Sequence, residues 1–315
     1  METRGTKRRR EEHEKKHKQN QRGFYKVLRE NFTHFGFVYK EGLNVDRLPF
    51  RPQGSCQPGG LYYSDWAHIA RFMDDGFRYN QHNWIAEVEI PEGARTYADP
   101  EGAKWKSDRI VLHNIVRIED SELWDDPEFC MTAVRERPNV LRYVKAQTAE
   151  LCQAAVEGDA NVLKYVRPEF QTEAMCFSAA TRVPFIFNYV KIHTPRICWE
   201  AVSRWGGALQ YVPIELKTPQ LSREAVRRQP SALKYVENEH ITREICEMAV
   251  MNGDADVFAF VPVWLRDESL CWMALRRSIL TLQYIFNPTR DMLDYVSNHE
   301  NRPFYAYLDD IWTIF

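Results

Sequence analysis

The sequence predicts a small α+β domain followed by an all-α solenoid of about seven helix-turn-helix repeats. Before about residue 120, apolar and β-branched residues alternate with polar ones in short segments, as in strands. From about residue 126, a small residue recurs every 22 to 25 residues, a period typical of stacked repeats. The predicted domains are a disordered basic tail (1–22), the α+β domain (23–122), and the solenoid with a C-terminal cap (123–315).

The basic tail contains nine Lys or Arg, four Glu and no aliphatic residue after Met1. Such a composition cannot bury a core. Three interpretations stay open for it: a solubilising tail, a nuclear-import signal at Lys7-Arg8-Arg9-Arg10, or a patch that contacts nucleic acid.

The α+β domain is predicted to contain strands at 35–40, 84–91 and 108–118 and a helix at 65–75 with Asp65 as its N-cap. Ahead of that helix stands the segment PGGLYYSD (58–65). Two hypotheses fit this segment. It is either a ligand-binding loop or a turn with positive φ at a glycine, followed by a strand with one tyrosine inward and one outward.

Each repeat is predicted to begin with a capped helix. A residue of helix-capping type stands four positions before each small residue, and an Ala stands three positions after it. The caps are Asp126, Thr148, Thr172, Thr194, Thr218, Thr242 and Asp267, and the small residues are Cys130, Cys152, Cys176, Cys198, Ser222, Cys246 and Cys271. A second short helix is predicted around each Leu-x-Tyr-Val segment.

The recurring cysteines are interpreted as buried packing residues, because their spacing fits neither disulfides nor zinc sites. The tyrosines of the second helices are likewise predicted to lie in the core. No metal site is predicted.

Eight arginines near the C-terminal ends of the first helices form what we call the arginine ridge. They either complement the helix dipoles or bind an acidic partner or nucleic acid. The members are Arg135, Arg137, Arg182, Arg204, Arg227, Arg228, Arg276 and Arg277.

The repeat pattern T-x-x-x-C-x-x-A-V followed by A-L-x-Y-V-P, over residues 125–290, resembles a helical-repeat family of large DNA viruses of protists. That resemblance implies a scaffold without assigned chemistry. The α+β domain also resembles a module that precedes ankyrin and other repeats in giant-virus proteins.

Segments 42–44, 60–63, 86–88 and 108–112 resemble, in their order, the ADP-ribosyltransferase fold of the poly(ADP-ribose) polymerase branch. The resemblance implies NAD as cofactor and a His-Tyr-acid site formed by His34, Tyr62 and Asp108. In it, Tyr62 stacks on nicotinamide and the acid stabilises an oxocarbenium-like transition state. Gly59, Gly60, Tyr62 and Tyr63 would contact the cofactor. His34 is followed by Phe35-Gly36, where the family has Gly and then Ser or Thr.

The leading hypothesis is a protein-protein interaction scaffold without cofactor, in which the α+β domain is a recognition module. A mono-ADP-ribosyltransferase whose repeats recruit the target is the second hypothesis, and nucleic-acid binding through the tail and the arginine ridge is the third. The absence of a long apolar run predicts no membrane contact. Seven cysteines without a secretory signal predict an intracellular protein of host cytoplasm or nucleus, or a virion component.

Overall fold

The computed structural model describes residues 23–54, 57–73, 82–100 and 102–299. The predicted basic tail (1–22) and the predicted C-terminal cap (302–315) lie outside these residues. The chain divides into two compact units, Met1–Gln171 and Thr172–Phe315. The first unit therefore extends past residue 122 and includes the first two helical repeats.

The first unit contains an antiparallel sheet of seven strands in the order β4-β9-β6-β1-β5-β8-β7, and a separate hairpin of β2 and β3. Alternate side chains of the central strands enter its core, in which Leu28, Ile110 and Leu112 are almost fully buried. The strands are β1 (Phe24–Arg29), β2 (Thr33–His34), β3 (Phe37–Val38), β4 (Gly42–Val45), β5 (Leu61–Asp65), β6 (His82–Glu89), β7 (Thr96–Ala98), β8 (Trp105–Ser107) and β9 (Arg109–Arg117).

The strands predicted at 84–91 and 108–118 are confirmed as β6 and β9, with small differences at their ends. The strand predicted at 35–40 was wrong. His34 pairs with Phe37 across a two-residue loop, and both loop residues have positive φ, 48° at Phe35 and 76° at Gly36. Two successive positive φ values reverse the chain in a tight hairpin, so a continuous strand is excluded here.

The helix predicted at 65–75 was also wrong as far as the structure describes that segment. Asp65 is the last residue of β5, and a 3₁₀ segment of four residues, Ile69–Phe72, follows. Asp65 still caps the turn, because its Oδ1 accepts a hydrogen bond from the backbone N–H of His68 at 2.9 Å. Met73 then returns to an extended conformation.

The helical repeats begin as predicted. All seven predicted caps accept a hydrogen bond from a backbone N–H in the first turn of their helix. Consecutive helices contact each other within each unit. The described helices are α1 (Pro127–Glu136), α2 (Ala149–Gly158), α3 (Glu173–Arg182), α4 (Pro195–Arg204), α5 (Pro219–Arg228), α6 (Arg243–Asn252), α7 (Glu268–Arg277) and α8 (Arg290–His299).

The second segment of each repeat is a six-residue 3₁₀ segment, shorter than the predicted helix of about ten residues. Its fourth residue, Leu or Phe, and the Val or Ile three positions later share one side of a helix with three residues per turn, and both are buried, as at Leu163 and Val166. The Val is extended and ends the segment. These segments are Pro138–Tyr143, Ala160–Tyr165, Pro184–Tyr189, Gly206–Tyr211, Pro230–Tyr235, Ala255–Phe260 and Ile279–Tyr284.

Short 3₁₀ segments complete the described fold. They are Ile118–Asp120, Glu122–Asp125, Pro168–Phe170, Ile214–Leu216, Asn238–His240 and Val263–Leu265.

The tyrosines of the Leu-x-Tyr-Val segments are not fully buried, contrary to the prediction that they are core residues. The half-buried ones are Tyr143, Tyr165, Tyr235 and Tyr284. Tyr189 is 42% exposed and Tyr211 is 38% exposed. In a 3₁₀ helix the tyrosine directly before the Val points away from the face that the Leu and the Val share. The prediction failed because it assumed α-helical geometry.

The sheet and the first repeat pack together within the first unit. Phe129 of α1 is fully buried between Trp66, whose ring centroid is 5.6 Å away, and Trp124, at 5.2 Å. Arg71 forms an ion pair with Glu136, and Arg137 donates to the carbonyl oxygen of Arg71 at 2.6 Å. This contact explains why the first compact unit continues into the repeats.

Ser222 occupies the slot that cysteine fills in the other repeats, and its hydroxyl is buried without a hydrogen-bond partner in the described part of the chain. A buried hydroxyl without a partner is destabilising, whereas a thiol behaves as a small apolar group. We expect Ser222→Cys to raise the free energy of unfolding by about 1 kcal/mol, measured by urea denaturation. The reverse change in the preceding repeat, Cys198→Ser, should lower it. Equal effects of the same sign from both variants would contradict this account.

Candidate functional site

A cavity of about 180 Å³ lies in the first unit beside β1, β5 and the β2–β3 hairpin. Its wall includes His34 and Tyr62, two of the residues predicted for ADP-ribosyl transfer. Tyr63 and Ser64 of β5 also line it, together with Lys26 of β1. The structure therefore brings together the histidine and the tyrosine of the predicted site.

Asp108, the predicted acid, is not among the residues that line this cavity. Its carboxylate accepts hydrogen bonds from the backbone N–H of Arg95 at 3.0 Å and from Arg95 Nε at 2.9 Å. It thus fixes the turn between β8 and β9. Cavities that enclose a drug-sized ligand have volumes of about 300 to 1,000 Å³, so the cavity is also too small to enclose a dinucleotide.

Gly59 and Gly60, predicted to contact the cofactor, form a turn outside the cavity lining. Their φ angles are 95° and 142°. A Cβ at Gly59 would lie 2.7 Å from the carbonyl oxygen of Pro49, and one at Gly60 would lie 2.9 Å from the side chain of Lys106. The structure therefore agrees with the hypothesis that PGGLYYSD is a turn leading into a strand.

The two tyrosines of this strand face in opposite directions. Tyr63 is buried in the sheet core and packs edge-on against Phe24, with 5.0 Å between the ring centroids. The Tyr62 hydroxyl accepts from the backbone N–H of Gln57 at 3.0 Å and donates to the Gln57 carbonyl at 3.2 Å. The ring of Tyr62 also lies 5.4 Å from Nζ of Lys106. These contacts hold the Tyr62 ring in place at the wall of the cavity.

Lys26 and Arg29, two basic residues of the cavity wall, were missed by the sequence analysis. Lys26 is 5% exposed, and burial lowers the pKa of its amine to about 7. Its Nζ donates to the carbonyl oxygen of Tyr62 at 2.6 Å and lies 4.2 Å from the centroid of the Tyr39 ring. The available signal was a lysine within the apolar segment FYKVLR (24–29), which predicts a buried cation if the segment is a central strand.

Half of the arginine-ridge members in the second unit pair with glutamates of their own helices. Arg204 Nε lies 2.5 Å from Glu200, and Arg227 and Arg228 share Glu224 at 2.6 and 2.9 Å. Arg277 donates to the carbonyl oxygen of Met251 at 3.3 Å. The guanidinium of Arg276 lies 5.8 Å from the Trp272 ring, and Arg182 is exposed.

The first unit holds the remaining two ridge arginines. Arg135 is exposed, and Arg137 donates to the carbonyl oxygen of Arg71. Glutamates thus offset three of the six ridge arginines in the second unit, which reduces the positive charge available to a polyanion.

The pairing of Glu224 predicts a pH dependence of stability. Hydrogen bonds from Arg227, and then from Arg228, lower the pKa of Glu224 from 4.5 to about 2. A lowered carboxylate pKa stabilises the folded state at pH values above the unfolded-state pKa, and that contribution is lost as the pH falls through the folded-state pKa. We expect the stability difference between wild type and Glu224→Gln to be constant above about pH 5 and to vanish towards pH 2.

The stability difference is expected to be modest because both arginines are nearly half exposed and solvent screens the pair. Urea denaturation across this pH range measures it. Glu215→Gln, at an exposed position between α4 and α5, is the control and should leave the pH profile unchanged. An unchanged profile for Glu224→Gln would contradict the assignment.

The described cysteines are buried and have no disulfide partner. Burial raises the thiol pKa of Cys130, Cys152, Cys198 and Cys246 to about 11. Raised pKa values disfavour the thiolate that metal binding and nucleophilic chemistry need. Within the described ranges, no three His, Cys, Asp or Glu side chains are close enough to hold a metal ion.

Three aromatic residues form a surface cluster in the second unit, which we call the aromatic patch: Phe185, Trp205 and Tyr211. Phe185 is 67% exposed. The Trp205 ring centroid lies 4.8 Å from that of Phe185 and 6.2 Å from that of Tyr211. Gly207 permits this arrangement, because a Cβ there would lie 2.7 Å from the Trp205 ring.

Comparison with known proteins finds relatives in a giant virus. A stretch of 94 residues, 28% of this chain, is 31% identical to "Putative ankyrin repeat protein R229" of Acanthamoeba polyphaga mimivirus and covers 29% of it. A stretch of 107 residues, 32% of the chain, is 28% identical to "Putative ankyrin repeat protein R868" of the same virus and covers 50% of it. A third stretch, of 127 residues and 37% of the chain, is 25% identical to "Putative ankyrin repeat protein R896", of which it covers 38%.

The chain thus spans half or less of the length of these curated relatives. No protein-family model matches it, and no solved structure does. The relatives support a helical repeat region of the kind found in giant viruses, and they give no support to the ADP-ribosyltransferase resemblance. The period of 22 to 25 residues is shorter than the 33 or so residues of an ankyrin repeat.

No described helix is long and apolar enough to cross a membrane.

Proposed function

We propose that this chain is a giant-virus helical-repeat protein whose repeats stack as a solenoid and bind a protein partner through the aromatic patch. The names of the relatives support a repeat protein of this kind. The observation that carries the proposal is the patch itself, in which Trp205 touches both Phe185 and Tyr211 at the surface. Trp and Tyr are enriched among the residues that contribute most to protein-protein binding.

Two members of the patch, Phe185 and Trp205, are not required by the fold of the repeat. The position of Phe185 is occupied by Asn139 and Asn161 in the two preceding repeats. The position of Trp205 is occupied by Gln229 in the next repeat. Because other repeats fold with polar residues at these positions, packing within the repeat does not account for the aromatic residues here. Exposed aromatic clusters of this kind mark interaction sites.

The alternatives have less support. ADP-ribosyl transfer needs a cavity that holds NAD with the acid beside it, and Asp108 is bound instead by Arg95. Binding of a nucleic acid would depend on the arginine ridge, half of whose members in the second unit pair with glutamates of their own helices. A protein partner that covers an apolar surface requires neither feature.

Site-specific photo-crosslinking tests the proposal. A photoreactive phenylalanine analogue at Tyr211 within the patch, which is 38% exposed, should crosslink to a defined protein in the cells that naturally make this chain. The same analogue at Trp264, which is 68% exposed and lies outside the patch, is the control and should give little product. Equal crosslinking of the same protein from both positions, or no product from Tyr211, would overturn the proposal.

A further inference from the structure

The cavity in the first unit lies where two neighbouring strands separate. β1 pairs with β5 only through Phe24 with Asp65 and Tyr25 with Ser64. Beyond Tyr25 the ladder ends, and a side chain, Lys26, donates to the carbonyl oxygen of Tyr62 at 2.6 Å. Residues of both strands line the cavity of about 180 Å³.

The lining of this cavity is basic. Lys26, Arg29, His34 and Lys104 contribute to it, and no Asp or Glu of the described residues does. Nε of Arg29 is buried and has no hydrogen-bond partner in the described part of the chain. Nζ of Lys104 lies 3.6 Å from Oδ2 of Asp99, and Asp99 itself does not line the cavity. A buried donor without an acceptor is costly, so Arg29 Nε marks a position that an acceptor would satisfy.

The remaining lining is mostly apolar and aromatic. Phe35 of the hairpin, Ile69 and Phe72 of the 3₁₀ segment, and Tyr25 and Tyr63 form it. An engineered apolar cavity of about 150 Å³ admits benzene, so the volume here suits one ring with one small substituent. The combination of apolar walls with the buried amine of Lys26 and the buried, unpartnered Nε of Arg29 defines the ligand chemistry.

We propose that this cavity binds a small organic anion, a carboxylate on a flat apolar body, with the carboxylate between Arg29 and Lys26. The carboxylate oxygens would accept from the buried Arg29 Nε, in the planar geometry that guanidinium groups favour. They would also supply a negative partner for the amine of Lys26. The aromatic walls would cover the apolar body.

The state of Lys26 supports this assignment. Burial holds the pKa of its amine at about 7, which is expected for a lysine that lacks a negative partner. A bound carboxylate would favour the charged amine and raise that pKa. The titratable and charged groups around the cavity are Tyr25, Arg29, His34, Tyr62, Tyr63 and Lys104, and Tyr39 lies against Lys26 from the sheet core.

Titration calorimetry with the full chain tests the proposal, with benzoate as the probe. Benzamide, which has the same shape without the charge, and inorganic phosphate, which has charge without the apolar body, should each bind roughly tenfold more weakly or worse. Arg29→Gln and Lys26→Met should weaken benzoate binding by a similar factor. Arg47→Gln, at an exposed position outside the cavity, should leave the affinity unchanged.

Proton linkage provides a second readout that does not depend on a folded Lys26 variant. If carboxylate binding raises the pKa of Lys26 from about 7, benzoate binding to the wild type should take up protons at about pH 8 and almost none at about pH 6. Titrations in buffers of different ionisation enthalpy measure this uptake. The His34→Gln variant tests whether the histidine contributes to the proton uptake. It should retain the uptake at about pH 8.

Several results would overturn the proposal. These are no benzoate binding, equal binding of benzamide, tighter binding of phosphate, undiminished affinity in Arg29→Gln, or no proton uptake at the higher pH. The aromatic patch lies in the other compact unit, so failure of the protein-binding proposal would leave these results unaffected.

Discussion

Replacing Phe129 by alanine should lower the free energy of unfolding of the first unit by about 3 to 5 kcal/mol. The ring is fully buried and contacts both Trp66 and Trp124 through edge-to-face geometry, with centroids 5.6 and 5.2 Å away. Its removal would leave a cavity between the sheet and α1 and would also remove two aromatic contacts. Loss of so much stabilisation would affect the sheet and the first repeat together, since Phe129 connects them.

The matched control is Phe185→Ala, the same chemical change at a residue that is 67% exposed. A surface substitution of this kind should change the free energy of unfolding by no more than about 0.5 kcal/mol. Urea denaturation, followed by tryptophan fluorescence and by circular dichroism, measures both variants. Similar stability losses in the two variants, or a Phe129→Ala loss below about 1 kcal/mol, would contradict the packing described for the first unit.

Combining Phe185→Asn with Trp205→Gln should weaken binding of the protein partner by about 2 kcal/mol or more, which is about 30-fold. Both changes install residues that other repeats carry at the same positions, Asn161 and Gln229. The fold should therefore tolerate them. The loss of affinity is expected because two adjoining aromatic rings would no longer be covered by the partner.

Trp264→Gln is the control for this prediction, since Trp264 is an exposed tryptophan outside the patch. Its affinity for the partner should match that of the wild type within about twofold, or about 0.4 kcal/mol. An equal loss from both variants would show that general surface hydrophobicity, and not the patch, determines binding. Circular dichroism spectra that superimpose for all three proteins would exclude loss of structure as the cause.

The first helix of each repeat could be predicted from sequence because local signals agree. At Thr218, for example, the capping side chain, Pro219 at the first turn and the apolar spacing from Leu221 to Val226 all favour the same helix. The structure shows that helix as Pro219–Arg228, with the Thr218 side chain accepting from the N–H of Leu221. Strong local signals of this kind do not depend on distant contacts.

The second segment of the repeat was harder to predict, because three apolar positions within six residues fit both an α-helix and a 3₁₀ helix. The length of the segment depends on where the backbone becomes extended, as it does at Val212 immediately before Pro213. A residue before proline disfavours the α conformation. Proline is absent from that position in five of the seven repeats, and the residue that follows the segment is extended in those repeats as well.

The cavity could not be predicted because its parts come from distant segments. Lys26 and Tyr62 both line it and are 36 residues apart in the sequence, and β1 and β5, the strands that carry them, pair over only two residues. Strand pairing of this kind is a tertiary property. The sequence analysis assigned Tyr62 and His34 to a different chemistry, together with Asp108, whose carboxylate is bonded to Arg95 and which does not line the cavity.

The most direct test of the central claim is the Kd of the crosslinked partner for the wild type and for the Phe185→Asn/Trp205→Gln variant, measured at about 50 mM and about 500 mM salt. If the aromatic patch carries the interaction, the variant should bind about 30-fold more weakly at both salt concentrations. The wild-type affinity should change little, because apolar contacts are not screened by ions. Unchanged affinity of the variant, together with a steep loss of wild-type binding at high salt, would contradict the claim and assign the interaction to the arginine ridge.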